Sequence, residues 1–195
     1  LLINGAGFVN SLIIRDKPLH VELNEELHSS IRIVMVSDLH LGTVVREGYL
    51  QRVITRINSH NPDIVLLVGD VLNESMVPGK FEGMKKALRT IQSNMGVYGC
   101  TGNHEFIIGI DKAVSFLESA DVNMIRDDFL IVDDRIVIAA RDDVSGLHFT
   151  GTQRKSLTEI MEGINRELPI ILMDHTPSDL NPAAENGVDL QVSGH

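Results

Sequence analysis

The stretch Ile31-Arg32-Ile33-Val34-Met35-Val36-Ser37-Asp38-Leu39-His40 decides the fold. Its first six residues form a short apolar, β-branched run and predict a buried strand. The last four set an aspartate and a histidine just past the carboxyl end of that strand. The arrangement recurs along the chain. A strand over Asp63 to Val68 leads into Gly69-Asp70, and one over Val97 to Cys100 leads into Gly102-Asn103-His104-Glu105. Strands over Ile170 to Met173 and Val188 to Val192 lead into Asp174-His175 and Ser193-Gly194-His195.

Between these strands the apolar period lengthens to that of a helix. Leu50, Val53, Ile54 and Ile57 mark a helix over Arg46 to Ser59, and Met84, Leu88, Ile91 and Met95 mark one over Phe81 to Met95. Ile110 to Ala120, Ser156 to Ile164 and Ser178 to Glu185 are further helix candidates. Phe129 to Val132 and Ile136 to Ala140, joined by Asp133-Asp134-Arg135, predict an antiparallel hairpin. Alternating strands and helices with one hairpin predict an α/β protein with a mixed sheet or two stacked sheets. Residues 1–30 are less regular and are expected to form an N-terminal arm or strand ahead of a single domain over 31–195. The apolar run Leu1 to Val9 fits either the tail of a membrane segment or an edge strand.

The chain has 195 residues and a formal net charge of −10. Nucleic-acid backbones call for clustered Lys and Arg, so a nucleic-acid partner is disfavoured. An acidic balance suits a protein that holds cations, and two divalent ions would bring the charge to about −6. No apolar run reaches the ~20 residues of a membrane-spanning helix. The lone cysteine, Cys100, lies in an apolar run and reads as a small core residue.

Ligands of open α/β sheets bind outside the carboxyl ends of the strands. Five strands deliver Asp, Asn or His to that edge, with no thiolate among them. Such donors suit Mn, Fe, Zn or Mg, and argue against a structural zinc site. Alternate residues of an Asp-x-His pair point the same way, so Asp38 and His40 can face one ion. A carboxylate such as Asp70 can bridge two cations. Ions about 3.5–4 Å apart then clamp a phosphate and acidify the water between them.

These motifs, in this order, resemble the calcineurin-like metallophosphoesterase superfamily. Ser-Asp-Leu-His-Leu-Gly (37–42), Gly-Asn-His-Glu (102–105), Asp-His-Thr-Pro (174–177) and Val-Asp-Leu-Gln-Val-Ser-Gly-His (188–195) are similar to one bacterial branch, in which several members carry membrane helices ahead of the catalytic domain. The resemblance covers 31–195 and implies two stacked β-sheets flanked by helices. It implies a metal-dependent phosphoesterase acting through a hydroxide held between two divalent ions, with Mn, Fe or Zn favoured and Mg possible. Asp38 and His40 would hold the first ion, Asp70 both, and Asn103, His175 and His195 the second. His104 would stand near the leaving oxygen, stabilising charge or donating a proton.

Two departures stand out. The family's last motif reads Gly-His-x-His, and this chain stops at His195 inside it, so weak binding of the first ion is expected. Asn73 stands where many members have an aspartate that supports the catalytic histidine, and an amide brings no negative charge to raise the His104 pKa.

The expected substrate is a small phosphate monoester, diester or pyrophosphate, lipid-linked in a membrane-tethered variant of the reading. An exposed apolar groove beside the ligands would support that variant, and a narrow polar pocket would count against it. The alternative to an enzyme is a scaffold of the same fold with little turnover. Among the remaining polar residues, His20, His28, His60 and His148 read as surface or structural. Asp127-Asp128 and Asp133-Asp134 read as turns. Asp142-Asp143 follows a strand end and could approach the pocket. Arg46 and Arg141 are phosphate-binding candidates by position.

Overall fold

The computed structural model describes residues 13–22, 30–45, 47–75, 79, 81–177 and 180–195. The apolar opening run, His28 and Arg46 lie outside these residues. Strands β1 (Ile33–Val36), β2 (Ile64–Val68), β3 (Val97–Cys100) and β4 (Asn123–Met124) form one sheet in that order, parallel throughout. Strands β5 (Asp128–Val132), β6 (Ile136–Ala140), β7 (Ile170–Met173) and β8 (Leu190–Val192) form the second. Its β5–β6 pair is antiparallel and the other two pairs are parallel.

Strand periodicity builds four layers. In β2, Val65 and Leu67 face a core shared with helices α1 (Glu47–Ser59), α2 (Glu82–Leu88) and α4 (Ile110–Glu118). Ile64, Leu66 and Val68 face the opposite way, into a core between the sheets. In β6 and β7, Ile138, Ile171 and Met173 enter that same inter-sheet core. Val137, Ala139, Ile170 and Leu172 pack beneath α6 (Leu157–Ile160) and α7 (Asn181–Glu185). A strand covered on both faces must be apolar at every position, which is why these strands read as unbroken runs. Each fully buried Leu, Ile or Val contributes about 1.5–3 kcal/mol.

The helices differ from expectation where side chains capture the backbone. The run expected over Phe81 to Met95 is helical only to Leu88. Thr90 Oγ1 bonds Ala87 O at 2.6 Å, while Asn58 accepts from Gln92 N and donates to Thr90 O, both at 2.9 Å. Such bonds compete with the helical ladder. The helix α3 (Asn103–Ile108) precedes α4, and Gly109, at φ 102°, separates them. Ser156 caps α6 through a reciprocal pair with Glu159, and regular helix ends at Ile160, short of the expected Ile164. The two-residue strand β4 and the short helix α5 (Gly146–Thr150) had no sequence counterpart. In the hairpin, Asp133 and Asp134 both take left-handed angles, as a type I′ turn requires.

A candidate binuclear metal centre

Loops leaving β1 and β2 run side by side. Asp38 N donates to Gly69 O at 3.2 Å and His40 N to Asp70 O at 2.9 Å. To turn there, Asp38, His40 and Asp70 adopt φ of 53°, 45° and 50°. Left-handed angles cost roughly 1–2 kcal/mol in a residue with a Cβ, and persist where surrounding bonds hold them. Two glycines permit the close approach. A methyl on Gly69 would fall 2.5 Å from His175 Nδ1, and one on Gly102 would overlap Asp70 Oδ1.

Glu105, fully buried, holds this edge together. Its carboxylate accepts from the N–H groups of Asp70 (2.9 Å), Leu72 (3.0 Å) and Gly102 (2.8 Å). Burial lifts the Glu105 carboxyl to about 7, against the pull of those N–H bonds. The sequence motif contained Glu105 without giving it a role. Its place three residues into the helix that follows Gly102 was the available signal, since a Glu there reaches back to the helix start.

Asp70 is the hub. His104 N donates to its Oδ1 at 2.8 Å. His175 Nε2 stands 3.4 Å and His40 Nε2 3.8 Å from its Oδ2. Two sets of donor atoms each gather within 4.8 Å, one from His40, Asp70 and His104, the other from Asp38, Asp70 and His175. Both sets share Asp70. Burial would raise the Asp70 carboxyl, but His175 and the His104 N–H outweigh it and hold it below the usual carboxylate range. Burial likewise works against a charged His175, yet contact with Asp70 and the 2.8 Å contact of Nδ1 with Val68 O lift it to about 9.

Asn103 Oδ1, His175 Nε2 and His40 Nδ1 are buried without a hydrogen-bond partner. Of these only Asn103 Oδ1 is an acceptor in every state, and a buried acceptor left without a donor among carboxylates fits a bound cation. His104 stacks edge-on against His40, with ring centroids 4.5 Å apart. His195 is anchored by its N–H on His175 O, and its ring lies 5.5 Å from that of His175. It joins neither three-residue set. Asn73 donates its N–H to Leu41 O and is exposed.

The second sheet's edge is built differently. Asp174 is 1% exposed and takes Arg154 Nη1 at 3.0 Å and Arg141 Nη1 at 3.3 Å. Burial raises its carboxyl against both guanidinium groups. Arg141, a phosphate-binding candidate by position, is nearly buried and pairs with Asp174. Arg126 grips Asp142 with two bonds of 3.0 and 2.6 Å. A cavity of about 260 Å³ opens against Asp142 and Asp143, with Phe106, Asp127, Arg126 and Arg154 in its wall. Asp142-Asp143 thus lines a cavity, while Asp127, at φ 45°, keeps its turn role by accepting from Asp142 N and Lys155 N. Exposed apolar side chains occur in segments that follow strand ends of both sheets, among them Val44, Ile107, Leu147 and Phe149.

Residues 31–195 match the family model described as calcineurin-like phosphoesterase. The chain is 28% identical to a metallophosphoesterase of Aquifex aeolicus over 86% of its own length and 63% of the other's. It is 29% identical to a Danio rerio transmembrane protein with a metallophosphoesterase domain, over 92% of this chain and 43% of that one. It therefore spans less than two thirds of either relative. The 5′-nucleotidase precursor of Thermus thermophilus shares the fold at a TM-score of 0.57 and 17% identity, covering 85% of this chain and 41% of that one.

Proposed function

The chain belongs to the calcineurin-like phosphoesterase family, and from that premise we propose that it hydrolyses a small phosphate ester at a centre of two divalent ions. The observation that carries the reading is the pair of donor sets that share buried Asp70, beside Asn103 Oδ1, which has no hydrogen-bond partner. The sets group His40 with His104 and Asp38 with His175, so they support a two-ion centre around Asp70 without fixing which ligand serves which ion. On the family pattern, Asp38 and His40 would hold one ion, Asp70 both, and Asn103, His175 and His195 the other. The hard-to-intermediate donors favour Mn, Fe or Zn, with Mg acceptable. When bound, the ions supply neutralisation of phosphate charge and an acidified water.

The protein's own part is placement. Glu105 locks the loops that carry Asp70 and Asn103, and the His104 N–H orients the Asp70 carboxylate. The His104 ring packs edge-on against His40, and its role would be to steady charge on, or deliver a proton to, the leaving oxygen. Residues 31–195 would form the catalytic domain, with the preceding residues as an arm.

The test is metal content and turnover of aryl phosphate mono- and diesters with added manganese. It compares this chain, a form carried past His195 and His104→Ala. Two ions and turnover in the longer form, with turnover lost and metal kept in His104→Ala, are expected. A protein that takes up no metal in either form would be the scaffold instead.

A second reading, a lipid-linked phosphoester taken by a membrane-tethered protein, is favoured by the exposed Val44, Ile107, Leu147 and Phe149 in segments that follow strand ends. The transmembrane relative agrees with it. Among the described residues, no helix is long and apolar enough to cross a membrane. Replacing Leu147 and Phe149 with Asn should raise KM for an acyl-bearing phosphoester and leave the aryl phosphates unchanged. Equal effects on both substrates would remove this reading.

A further inference from the structure

Asn103 and His175 lie on different sheets, Asn103 past the end of β3 and His175 past the end of β7. The core between the sheets is apolar. Apolar contact is not directional, so it leaves the two edges free to slide by fractions of an ångström. A centre built across the gap needs a directional link, because misplacement by about 1 Å is enough to spoil a reacting geometry.

His175 is itself held to the first sheet by the 2.8 Å contact of its Nδ1 with Val68 O, and a second link, a hydrogen-bonded chain, reaches the Asn103 loop. Thr101, fully buried two residues before Asn103, donates its hydroxyl to Asp142 Oδ1 at 3.1 Å and accepts from Asp143 N at 3.2 Å. Asp143, 1% exposed, accepts from Ser145 N at 2.9 Å and from Thr176 Oγ1 at 2.6 Å. Thr176 directly follows His175. The chain therefore runs from the Asn103 loop to the His175 loop through the turn that leaves β6. Each member has a defined use. The Thr101 hydroxyl spends its one proton and accepts another, and each Asp143 oxygen takes a donor. On the other side of His175, Asp174 is clamped by Arg141 and Arg154. The Thr176 bond joins the His175 loop to the β3 side through Asp143, beside the direct contact of His175 with β2 at Val68 O.

We propose that Thr101, Asp143 and Thr176 are positioning residues that fix the separation of Asn103 from His175, and so set the affinity of the ion those two would share. The inference rests on the metal-centre reading above. It predicts an effect confined to one ion. Asp38 and His40 hang from β1, which the tie does not touch, so the first ion should be spared.

The experiment titrates the form carried past His195 with Mn²⁺ and follows free and bound manganese by electron paramagnetic resonance, with thermal unfolding measured on the same samples. Thr176→Val removes the hydroxyl and keeps the shape. Its second-ion Kd should rise about 10–100-fold, the usual loss when a group supporting a metal ligand is removed, and the spin-coupled two-ion signal should fade. The first-ion Kd should stay within about twofold, within the additivity expected of independent sites. Thr176→Ser should restore both. Thr101→Val should act in the same direction, and the double variant should be no worse than the poorer single, because the two residues serve one chain. Leu66→Ala supplies a variant that lowers Tm without touching the tie.

The proposal is overturned if Thr176→Val holds both ions as the wild type does. It is also overturned if both ions weaken together in step with Tm, as in Leu66→Ala, or if Thr176→Ser fails to rescue. A wild type that binds no Mn²⁺ at all overturns the metal-centre reading itself, and is told apart because the defect then appears without any substitution.

Discussion

The two sheets hold their ligand-bearing edges by opposite means. In the first, one buried carboxylate, Glu105, gathers three backbone N–H groups, and the ligands follow from the path of the main chain. In the second, guanidinium groups and carboxylates interlock as side chains, with Arg141 and Arg154 on Asp174 and Arg126 on Asp142. The first arrangement fixes backbone angles that residues with a Cβ resist, as at Asp38, His40 and Asp70. The second leaves Asp142, Asp143 and Asp174 outside the left-handed region and fixes their loops through charge. A ligand edge can therefore be made rigid through the main chain or through side chains, and the two should fail differently.

The largest effect should come where the edges meet. Asp70→Ala removes the donor shared by both sets, so kcat/KM on an aryl phosphate should fall by about 10³-fold or more, with manganese per chain falling alongside. Retained manganese would mean that each edge holds its ion alone. Next, Asp174→Asn removes the negative charge that two nearly buried guanidinium groups share. Unfolding by urea should show a loss of about 3 kcal/mol, with the backbone of the first edge unchanged in amide exchange. Glu105→Gln should cost about 2 kcal/mol, because an amide N–H₂ must face backbone donors, and protection should be lost at Asp70 and Leu72 N–H. If the edges are separate units, the double variant Glu105→Gln/Asp174→Asn should be additive within about 0.5 kcal/mol. A larger coupling would merge them.

The smallest effect lies at the far end of the first sheet. There Asp63 accepts from Arg32 N at 2.7 Å and Asn94 Nδ2 at 2.9 Å, tying together the starts of β1, β2 and β3. The Arg32 N–H, followed by the Asn94 amide, holds the Asp63 carboxyl below its usual range. A carboxyl lowered by folding stabilises above its unfolded pKa of about 3.9, and that gain is lost as pH falls through the lower folded value. Asp63→Asn should therefore cost about 1 kcal/mol at pH 7. The gap from wild type should close in acid, below about pH 4.

Reading from sequence succeeded where burial on both faces leaves a continuous apolar mark. The strands β2 and β7 and the hairpin lie where their Val, Ile and Leu runs predict, β3 lies over the expected Val97–Cys100, and the polar residue after each strand marks the edge. Local capture of the backbone was less visible. Nothing around Leu88 announces that Asn58, thirty residues away, will take the next turn. The side-chain lattice was invisible for the same reason. Arg154 meets Asp174 and Thr101 meets Asp142 across separations of 20 and 41 residues, which carry no period. Asp142-Asp143 was flagged by its place after a strand, and that position is what brings it to Thr101 and Thr176. Arg141 shared the position, but burial turned its charge inward.

Cys100, the chain's one cysteine, is fully buried at the end of β3, and burial pushes its thiol well above the ordinary range. A thiol that neither ionises nor meets solvent does not react with maleimides or methanethiosulfonates. The native chain is thus already a silent background for labelling. A single cysteine placed at exposed Leu147 would carry a nitroxide, and manganese at the centre would broaden its spectrum with distance. That probe would report the ligand-bearing edge opening or closing in solution, with no native residue needing to be removed first.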